Sequence, residues 1–403
     1  MKIAVLGTLD SKGHEHAYVA DLIREKGHTP ILIDVGSYGE PQVDPDYSRF
    51  DVAAAAGKDL TALYEKQDRG ECVVAISEAV PHFISQLQAE GKIDGIISLG
   101  GGGGTAIATA AMRALPIGFP KLMVSTLASG NTAHYLGTKD ILMMPSIVDV
   151  AGLNSISKLI FTKAAGAICG MVETVFTETS DAQKPLIVAS MFGNTTECIN
   201  KASQVLEEAG YEVLVFHATG IGGKTMEALI ESGMVTGVLD LTTTEWADEL
   251  VGATLTAGPT RMDAMAKARV PAVIAPGCLD MANFGERDSV PSQFSDRGFY
   301  IHNPQVTLMR TNADECAELG RILAKKANAN PVPTKMLLPL KGISVIAQEG
   351  QAFYNSEADD ALFSSIKATY EGDVIEVDAN INDDLFAITA ANELIAIIDQ
   401  TSK

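Results

Sequence analysis

The length, composition and charge of the chain exclude several classes of protein. Its 403 residues, 46% of them hydrophobic, are enough for two domains with separate cores. The 30 Lys and Arg residues against 51 Asp and Glu give a formal net charge of -21, which argues against a nucleic-acid surface and favours an acidic cytoplasmic protein. The 5 cysteines are scattered without CxxC spacing, so neither a disulfide framework nor a zinc–thiolate site is indicated.

The N-terminal stretch predicts the start of a parallel α/β unit. The expected elements are a strand at residues 3–6, a polar loop at 7–15, a helix at 16–26 and a strand at 31–35. Thr8 and Asp10 interrupt the first apolar run, so we interpret it as a strand rather than a signal peptide. A β-α-β unit imposes parallel pairing, and open parallel sheets bind ligands at the carboxyl ends of their strands. The Pro- and Asp-rich residues 39–56 predict a long excursion without regular structure.

Residues 95–115, GIISLGGGGGTAIATAAMRAL, predict a strand, an anion-sized loop and a helix. Glycine leaves backbone N–H groups accessible, and the helix start adds unpaired donors and a positive dipole end. A bare tight turn is the alternative, but such a turn needs only one or two glycines, whereas residues 100–104 are all glycine. Because no Gly-Lys-Ser/Thr follows, this is not a Walker loop, and the pattern alone indicates phosphate or carboxylate without deciding between them.

A second loop of small residues, 125–132, follows the predicted strand at 121–125. The long apolar stretch at 149–173 contains Lys158 and Lys163, so we expect an interdomain or subunit-interface helix rather than a membrane span. Residues 178–185 are the predicted linker. The domains are therefore expected at residues 1–180 and 184–403.

The second half repeats the order of elements seen in the first. Strands are expected at 186–190, 211–216, 237–241 and 271–276, with Thr242-Thr243-Thr244-Glu245 where the first half has its glycines. The predicted fold class is α/β: two Rossmann-like, doubly wound domains with mainly parallel sheets. Divergent copies of one unit, or two independent doubly wound domains, would both give this match.

Candidate chemistry comes from polar residues that follow strand-like runs. Asp10 could hold Mg²⁺ through water and Lys12 could meet a phosphate, although Asp10 or Ser11 could instead cap the next helix. His14 and His16 are expected on the surface, because a spacing of two prevents a shared metal on one helix face. In the second half, the candidate catalytic residues are Asp280, His302, Arg310 and Lys341. Each is individually more typical of a solvated loop charge or a cap, and together they predict a second polar pocket.

Four segments resemble an uncharacterised bacterial protein family that shares the ATP-binding domain of the tomato mosaic virus resistance protein. They are residues 7–15 (GTLDSKGHE), 98–105, 125–130 and 276–280 (PGCLD). The resemblance extends along essentially the whole chain. It implies two Rossmann-like domains, an ATP site in the first domain, Mg²⁺ bound with the nucleotide, and a homodimer.

Carried onto this sequence, the resemblance implies a set of phosphate-facing residues, which are Thr8, Asp10, Lys12, Gly100, Gly101, Gly102, Gly103, Gly104, Thr105, Ser129, Gly130 and Asn131.

These residues lead to two hypotheses of different class. The first is an ATP-binding metabolic enzyme that acts on a small polar or anionic substrate between the domains, where Arg310 and Lys341 would neutralise the substrate, His302 would move a proton and Asp280 would orient a metal or a hydroxyl. The alternative is a nucleotide-responsive binding or regulatory protein without turnover. A Rossmann-type dehydrogenase is a weaker possibility, because the first glycine segment is not G-x-G-x-x-G. Neither nucleic acid nor membrane is an expected partner.

Overall fold

The computed structural model describes residues 1–37, 39–65, 69–175 and 184–401. The chain divides into two compact units, Met1–Ser180 and Asp181–Lys403. The predicted linker at 178–185 lies outside the described residues except for its last two positions.

In the described part of the N-terminal unit, five parallel strands form one sheet in the order β2-β1-β3-β4-β5. The strands are β1 (Lys2–Gly7), β2 (Thr29–Asp34), β3 (Gly95–Gly100), β4 (Lys121–Ser125) and β5 (Leu142–Pro145). The helices are α1 (Leu9–Glu25), α2 (Arg49–Ala55), α3 (Leu60–Glu65), α4 (Arg69–Ala89), α5 (Gly102–Arg113), α6 (Ala133–Leu136) and α7 (Ser155–Glu173). Because β1 lies between β2 and β3, the topological switch point falls between the carboxyl ends of β1 and β3.

Both faces of this sheet are covered by helices. Along β1, Ile3 and Val5 belong to the core formed with α1 and α7, whereas Ala4 and Leu6 belong to the core formed with α2, α4 and α5. This alternation with both faces apolar is typical of a doubly wound parallel sheet.

Helix α7 is, in the described part of the chain, the one helix that is long and apolar enough to cross a membrane by length and composition. Phe161, Ala165 and Ile168 on this helix are fully buried against the N-terminal sheet. A Cβ atom added at Gly95 would lie 2.6 Å from Val172 Cγ1, so β3 and α7 pack at a distance that requires glycine. These contacts make α7 a core helix of the N-terminal unit.

The structure corrects two predicted elements of the N-terminal unit. Helix α1 begins at Leu9 rather than at residue 16, and non-helical angles at Lys12 (φ -134, ψ 27) interrupt it. The excursion at 39–56 contains α2, which starts with a reciprocal capping box between Ser48 and Asp51. Five of its seven residues are apolar, three of them alanines that favour a helix, so the capping pair and the alanine run were both sequence signals for it.

In the described part of the C-terminal unit, six parallel strands form a sheet in the order β14-β13-β9-β8-β6-β7. The strands are β6 (Leu186–Met191), β7 (Glu212–His217), β8 (Val235–Thr242), β9 (Ala272–Gly277), β13 (Thr334–Pro339) and β14 (Asp373–Val377). The helices are α8 (Thr196–Glu208), α9 (Ile221–Glu231), α10 (Glu245–Val251), α11 (Ala264–Ala268), α12 (Ala313–Asn328), α13 (Ser356–Thr369) and α14 (Asp384–Thr401).

The first five strands of this sheet in chain order, β6, β7, β8, β9 and β13, have the same spatial order as the strands of the N-terminal sheet. Strand β6 lies between β7 and β8 as β1 lies between β2 and β3. The predicted fold class, two α/β domains with mainly parallel sheets, is confirmed. An antiparallel sheet in the order β10-β12-β11 was not predicted; it consists of Met281–Phe284, Val306–Arg310 and Phe299–Asn303.

Candidate functional site

The glycine run follows β3 at the switch point of the N-terminal sheet and forms the first turn of α5. The N-cap residue of α5 is Gly101, which provides no side-chain hydrogen bond to the helix start. The first amides of a helix have no intrahelical acceptor, so those of Gly102, Gly103 and Gly104 are available as donors. Gly102 and Gly103 are exposed. The loop therefore presents N–H donors and the positive end of a 12-residue helix to solvent, an arrangement that suits an oxyanion.

The fold itself does not require glycine at most of these positions. None of the residues from Gly100 to Gly104 is among the residues with positive φ. A Cβ atom at Gly100 would come within 3.1 Å of the Gly104 Cα atom, so a side chain at this position would be tightly packed against the helix backbone. At Gly101 and Gly102 the nearest atoms would be 3.8 and 3.9 Å away, and at Gly103 there is nothing within 4 Å. Neither backbone conformation nor packing explains the glycines at 101–103. Glycine is also the residue found where a backbone approaches a ligand closely.

The loop after β4 lies against the glycine run. The Ser125 hydroxyl is 2.7 Å from the Thr105 hydroxyl, and the Thr126 amide donates to the Gly100 carbonyl at 3.2 Å. Of the other residues predicted here, Ser129 lines a cavity of about 560 Å³ at the carboxyl ends of β4 and β5. Gly130 donates its amide to Leu127, and the Asn131 side chain accepts from Ala133 in the adjoining turn. The predicted residues on this side are thus brought to one edge of the sheet.

On the β1 side, Asp10 takes part in the local structure. Its carboxylate accepts from the Ser37 amide at 3.0 Å and lies 3.9 Å from the Arg49 guanidinium. Arg49 also pairs with buried Asp34 at 2.7 Å. Thr8 is the N-cap residue of α1 without a side-chain cap bond, and its hydroxyl accepts from Ser11 at 3.1 Å. Asp10 therefore joins α1 to the segment after β2, which lies on the side of β1 away from β3.

His16 lies against Gly7 of β1 and Leu99 of β3, and Lys12 lies four residues before it on α1. The Lys12 ammonium donates to the carbonyl of Val150, close to the cavity beside Ser129. His16 is fully buried, which corrects the prediction of a surface residue, whereas His14 is exposed as predicted. The imidazole bonds the Lys12 carbonyl through Nδ1 at 2.7 Å and accepts from the Leu99 amide through Nε2 at 3.4 Å. Burial lowers the pKa of His16, which favours the neutral ring that this pair of contacts requires.

In the C-terminal unit, Asp280 and Arg310 come together. Their segments are joined because the Thr311 amide donates to the Asp280 carbonyl at 3.1 Å. The Asp280 side chain is fully buried and accepts from Ser344 at 2.8 Å, and its Oδ1 has no hydrogen-bond partner among the described residues. Burial raises the pKa of Asp280 to about 6, against the opposing effect of the Arg310 guanidinium. Arg310 is itself engaged, with Asp359 at 2.7 Å and the Phe353 carbonyl at 2.8 Å.

The other candidates of this unit lie elsewhere. His302 is exposed on β11, an edge strand of the antiparallel sheet. Lys341 is exposed, pairs with Asp378 at 2.9 Å and lines a cavity of about 510 Å³. That cavity also contains the carboxylates of Glu349, Asp359, Asp360 and Asp383. Its acidic lining disfavours the small anionic substrate that was one of the predicted options.

The switch point of the C-terminal sheet is filled by side chains, a feature that the sequence did not reveal. Arg261, 1% exposed, donates to both oxygens of Asp240 at 2.7 Å and to Glu245 at 2.8 Å. Glu227 lies 3.2 Å from the same guanidinium. The Glu245 carboxylate also accepts from the amides of Gly220 and Gly223.

Further along the same edge, Asp248 is buried with Asn283. Burial raises the pKa of Asp248 to about 7, although the Asn283 side chain donates to it at 2.8 Å. Among the described residues, no group of three or more His, Cys, Asp or Glu side chains is placed to hold a metal ion.

Fold and site define a doubly wound α/β protein of two units. The switch point of the first unit has an open glycine-rich loop, and the switch point of the second unit is filled by charged side chains. The chain belongs to the UPF0261 family. Residues 1–177 match the N-terminal domain and residues 184–398 the C-terminal domain of what is described as uncharacterised protein family UPF0261. The resemblance found in the sequence is confirmed.

Proteins of similar sequence occur in bacteria and in a plant. The UPF0261 protein of Clostridium tetani is 48% identical over 402 residues, 99% of each chain. The ToMV resistance protein Tm-1(GCR237) of Solanum lycopersicum is 39% identical over 98% of this chain, which spans 56% of the plant protein. The ToMV susceptible protein tm-1(GCR26) is 35% identical over 92% of this chain and 52% of its own length. The chain thus spans about half the length of the plant relatives it matches.

Solved structures with similar arrangements include a UDP-N-acetylglucosamine 2-epimerase from Rickettsia bellii, which is 11% identical with a TM-score of 0.22 and coverage of 99% of this chain and 96% of that one. A thioesterase domain from the curacin biosynthetic pathway is 14% identical with a TM-score of 0.25, over 54% of this chain and 91% of that one. At these scores the likenesses carry no argument about function.

Proposed function

We propose that the chain is an ATP-binding protein whose N-terminal glycine loop holds the nucleotide phosphates. The observation that carries this proposal is the run of glycines at 101–103, two of them exposed, whose Cβ positions are open although neither φ nor packing requires glycine. Their amides form a cradle that side chains would fill, as expected where the backbone approaches a phosphate group. The resemblance to an ATP-binding domain supports ATP as the ligand.

Mg²⁺ accompanies the nucleotide in this proposal. Mg²⁺ keeps several waters and binds through one or two carboxylates together with substrate phosphates. Asp10 fits a role through water rather than a direct one, because its carboxylate follows β1, is about 10% exposed and already accepts from Ser37. The nucleotide phosphates would supply the direct ligands, which agrees with the lack of a preformed carboxylate cluster among the described residues.

An enzyme with a polar substrate is one form of this function. Its support is the 510 Å³ cavity of the C-terminal unit, which combines Lys341 with several carboxylates and therefore suits a polar or cationic group better than an anion. A nucleotide-responsive binding protein without turnover is the other form. It is favoured by the burial of Asp280 and by the pairing of Arg310 and Lys341 with Asp359 and Asp378, which leaves these side chains engaged within the protein.

A homodimer is also part of the proposal, as the family resemblance implies. Helix α7 exposes Ile156 and Leu159, 42% and 52% exposed, on the side away from its core contacts. Light scattering coupled to size-exclusion chromatography tests this point: a molar mass of twice the chain mass supports it, and a monomer mass contradicts it.

Calorimetric titration of the full chain with ATP and with NADH, each with and without Mg²⁺, tests the proposal. We expect ATP to bind, more tightly with Mg²⁺, and NADH not to bind. Phosphate release measured on the same sample then separates the enzyme from the binding protein. Absence of ATP binding under all conditions would contradict the proposal.

A further inference from the structure

The cavity beside the glycine loop has unused polar groups. It is about 560 Å³ in volume, within the range of small-molecule sites, and the carboxyl ends of β4 and β5 form its walls. Among the described residues, the hydroxyls of Thr126 and Ser129 and the carboxylate of Asp149 have no hydrogen-bond or ion-pair partner. The hydroxyls of Ser125 and Ser146, by contrast, are engaged with Thr105 and Val148.

The cavity adjoins the glycine loop through Thr126. Thr126 Oγ1 would lie 3.8 Å from a Cβ atom at Gly101, and the Thr126 amide donates to the Gly100 carbonyl. A ligand with its phosphates on the loop amides therefore has Thr126 within reach, and Asp149 lines the same cavity as Thr126. Lys12 lies at the same rim, since its ammonium donates to the carbonyl of Val150.

A strained turn places an apolar side chain in the cavity wall. Ile147 has φ 67, and the Val148 amide donates across it to the Ser146 carbonyl at 2.8 Å, which makes a γ-turn. A β-branched residue is disfavoured in this conformation, and glycine or asparagine would be favoured. Even so, Ile147 is 73% exposed, so packing within the unit does not account for the isoleucine. Contact with a flat, apolar ligand surface would account for an isoleucine at this position.

We propose that this cavity takes the nucleoside half of the nucleotide. Asp149 accepts from the vicinal hydroxyls of the ribose, Thr126 and Ser129 bond the sugar edge nearest the phosphates, and Ile147 packs on the face of the base. A carboxylate on ribose hydroxyls is a recurring means of nucleotide recognition in doubly wound domains. This inference rests on the proposed function, because it needs the phosphates to lie on the glycine loop.

Calorimetric titration of the full chain with ATP, 2′-deoxyATP and inorganic tripolyphosphate tests the inference. In the unmodified protein we expect 2′-deoxyATP to bind about tenfold more weakly than ATP, the loss of one charge-assisted hydrogen bond. Asp149→Asn should weaken ATP binding to the same degree and remove the difference in affinity between ATP and 2′-deoxyATP. Ile147→Gly, which also relieves the strained φ, should weaken ATP binding about tenfold and leave the affinity for tripolyphosphate unchanged.

Asp314→Asn and Ile301→Ala, exposed positions of the C-terminal unit, are the matched controls and should leave all affinities unchanged. If ATP binds but Asp149→Asn and Ile147→Gly leave ATP affinity and the ATP to 2′-deoxyATP ratio unchanged, the cavity does not hold the nucleoside. If they weaken tripolyphosphate as much as ATP, the residues act on the phosphates and the inference is also wrong. If neither ATP nor tripolyphosphate binds the unmodified protein, the proposed function itself fails.

Discussion

The two sheets share a strand order but differ at the edge where parallel sheets bind ligands. After β3 of the N-terminal unit, Gly102 and Gly103 expose backbone amides to solvent. After the matching strand β8 of the C-terminal unit, Thr243, Thr244 and Glu245 are buried, and each side chain is bonded within the protein. Topology therefore determines where a site can form, and the local sequence determines whether that place is left for a ligand.

In the C-terminal unit, a side-chain carboxylate occupies the place at a helix start where an anionic ligand could bind. The Glu245 carboxylate accepts from the amides of Gly220 and Gly223 at the start of α9, where an oxyanion ligand would otherwise be favoured. Arg261 then balances this charge and that of Asp240. The comparison predicts that the second unit depends on these charges for stability, whereas the glycine loop of the first matters for binding.

The largest expected effect on stability comes from removing the buried guanidinium. Arg261→Met leaves Asp240 and Glu245 buried without their cation, which costs about 3–5 kcal/mol in the free energy of unfolding. Urea unfolding followed by circular dichroism measures this cost. The control Arg321→Met removes a half-exposed partner of Glu318 and should cost less than about 1 kcal/mol. A similar small cost for Arg261→Met would contradict the view that the second switch point is a structural ion cluster.

The pH dependence of the C-terminal unit should reflect Asp248. Its pKa is raised from 3.8 to about 7 by burial, so between these values the folded state holds a proton that the unfolded state releases. The free energy of unfolding therefore falls as pH rises through this window, by an amount on the order of 4 kcal/mol. Urea unfolding at several pH values should show a flatter dependence in Asp248→Asn. An identical slope in the variant would exclude Asp248 as the titrating group.

His16 should give the N-terminal unit the opposite slope. Burial holds the pKa of His16 below 6.5, so near and below that pH the unfolded state binds a proton that the folded state resists, and stability is lost as pH falls. His16→Leu should remove this slope and, above pH 7, cost about 1–3 kcal/mol, because the Leu99 amide and the Lys12 carbonyl lose their partner. The exposed neighbour His14 provides the control His14→Leu, which should change neither quantity. Retention of the acid-side slope in His16→Leu would be the contrary result.

The smallest effect is expected at Lys12. Lys12→Met removes the hydrogen bond to the Val150 carbonyl, which should cost about 1 kcal/mol of stability. It should also weaken ATP binding by roughly tenfold, about 1.4 kcal/mol, through the loss of one positive charge at the rim. Calorimetry on this variant and on the exposed control Lys26→Met measures the difference. Equal affinities in the two variants would remove Lys12 from the site.

Much of the N-terminal site was predictable because its signals are local. Strand, glycine run and helix follow one another between residues 95 and 115, so their order along the chain already determines their placement. The burial of His16 also had a signal: Gly13, His16, Ala20 and Ile23 lie at helical spacing on one buried face. The sequence could not show that Gly7 provides the space for the His16 imidazole. A Cβ atom at Gly7 would lie 2.2 Å from that ring.

The C-terminal cluster had no such local signal. Arg261 finds its partners 16, 21 and 34 positions away in the chain, at Glu245, Asp240 and Glu227. No periodicity links these positions, and only the folded sheet brings them together. The four candidates Asp280, His302, Arg310 and Lys341 likewise looked like one group along the chain. The structure brings Asp280 and Arg310 together and leaves His302 and Lys341 exposed on other segments.

The most direct test of the account is the affinity of two matched glycine variants for Mg-ATP. Gly102→Val places a side chain in the proposed phosphate space, where the nearest protein atom would be 3.9 Å away, so the protein should stay folded. Gly193→Val makes the same change after β6 in the C-terminal unit, at a position with nothing within 4 Å of the added Cβ. By calorimetry, with folding checked by circular dichroism, we expect Gly102→Val to abolish ATP binding and Gly193→Val to leave it unchanged. Unchanged affinity in folded Gly102→Val would contradict the assignment of the phosphates to the glycine loop.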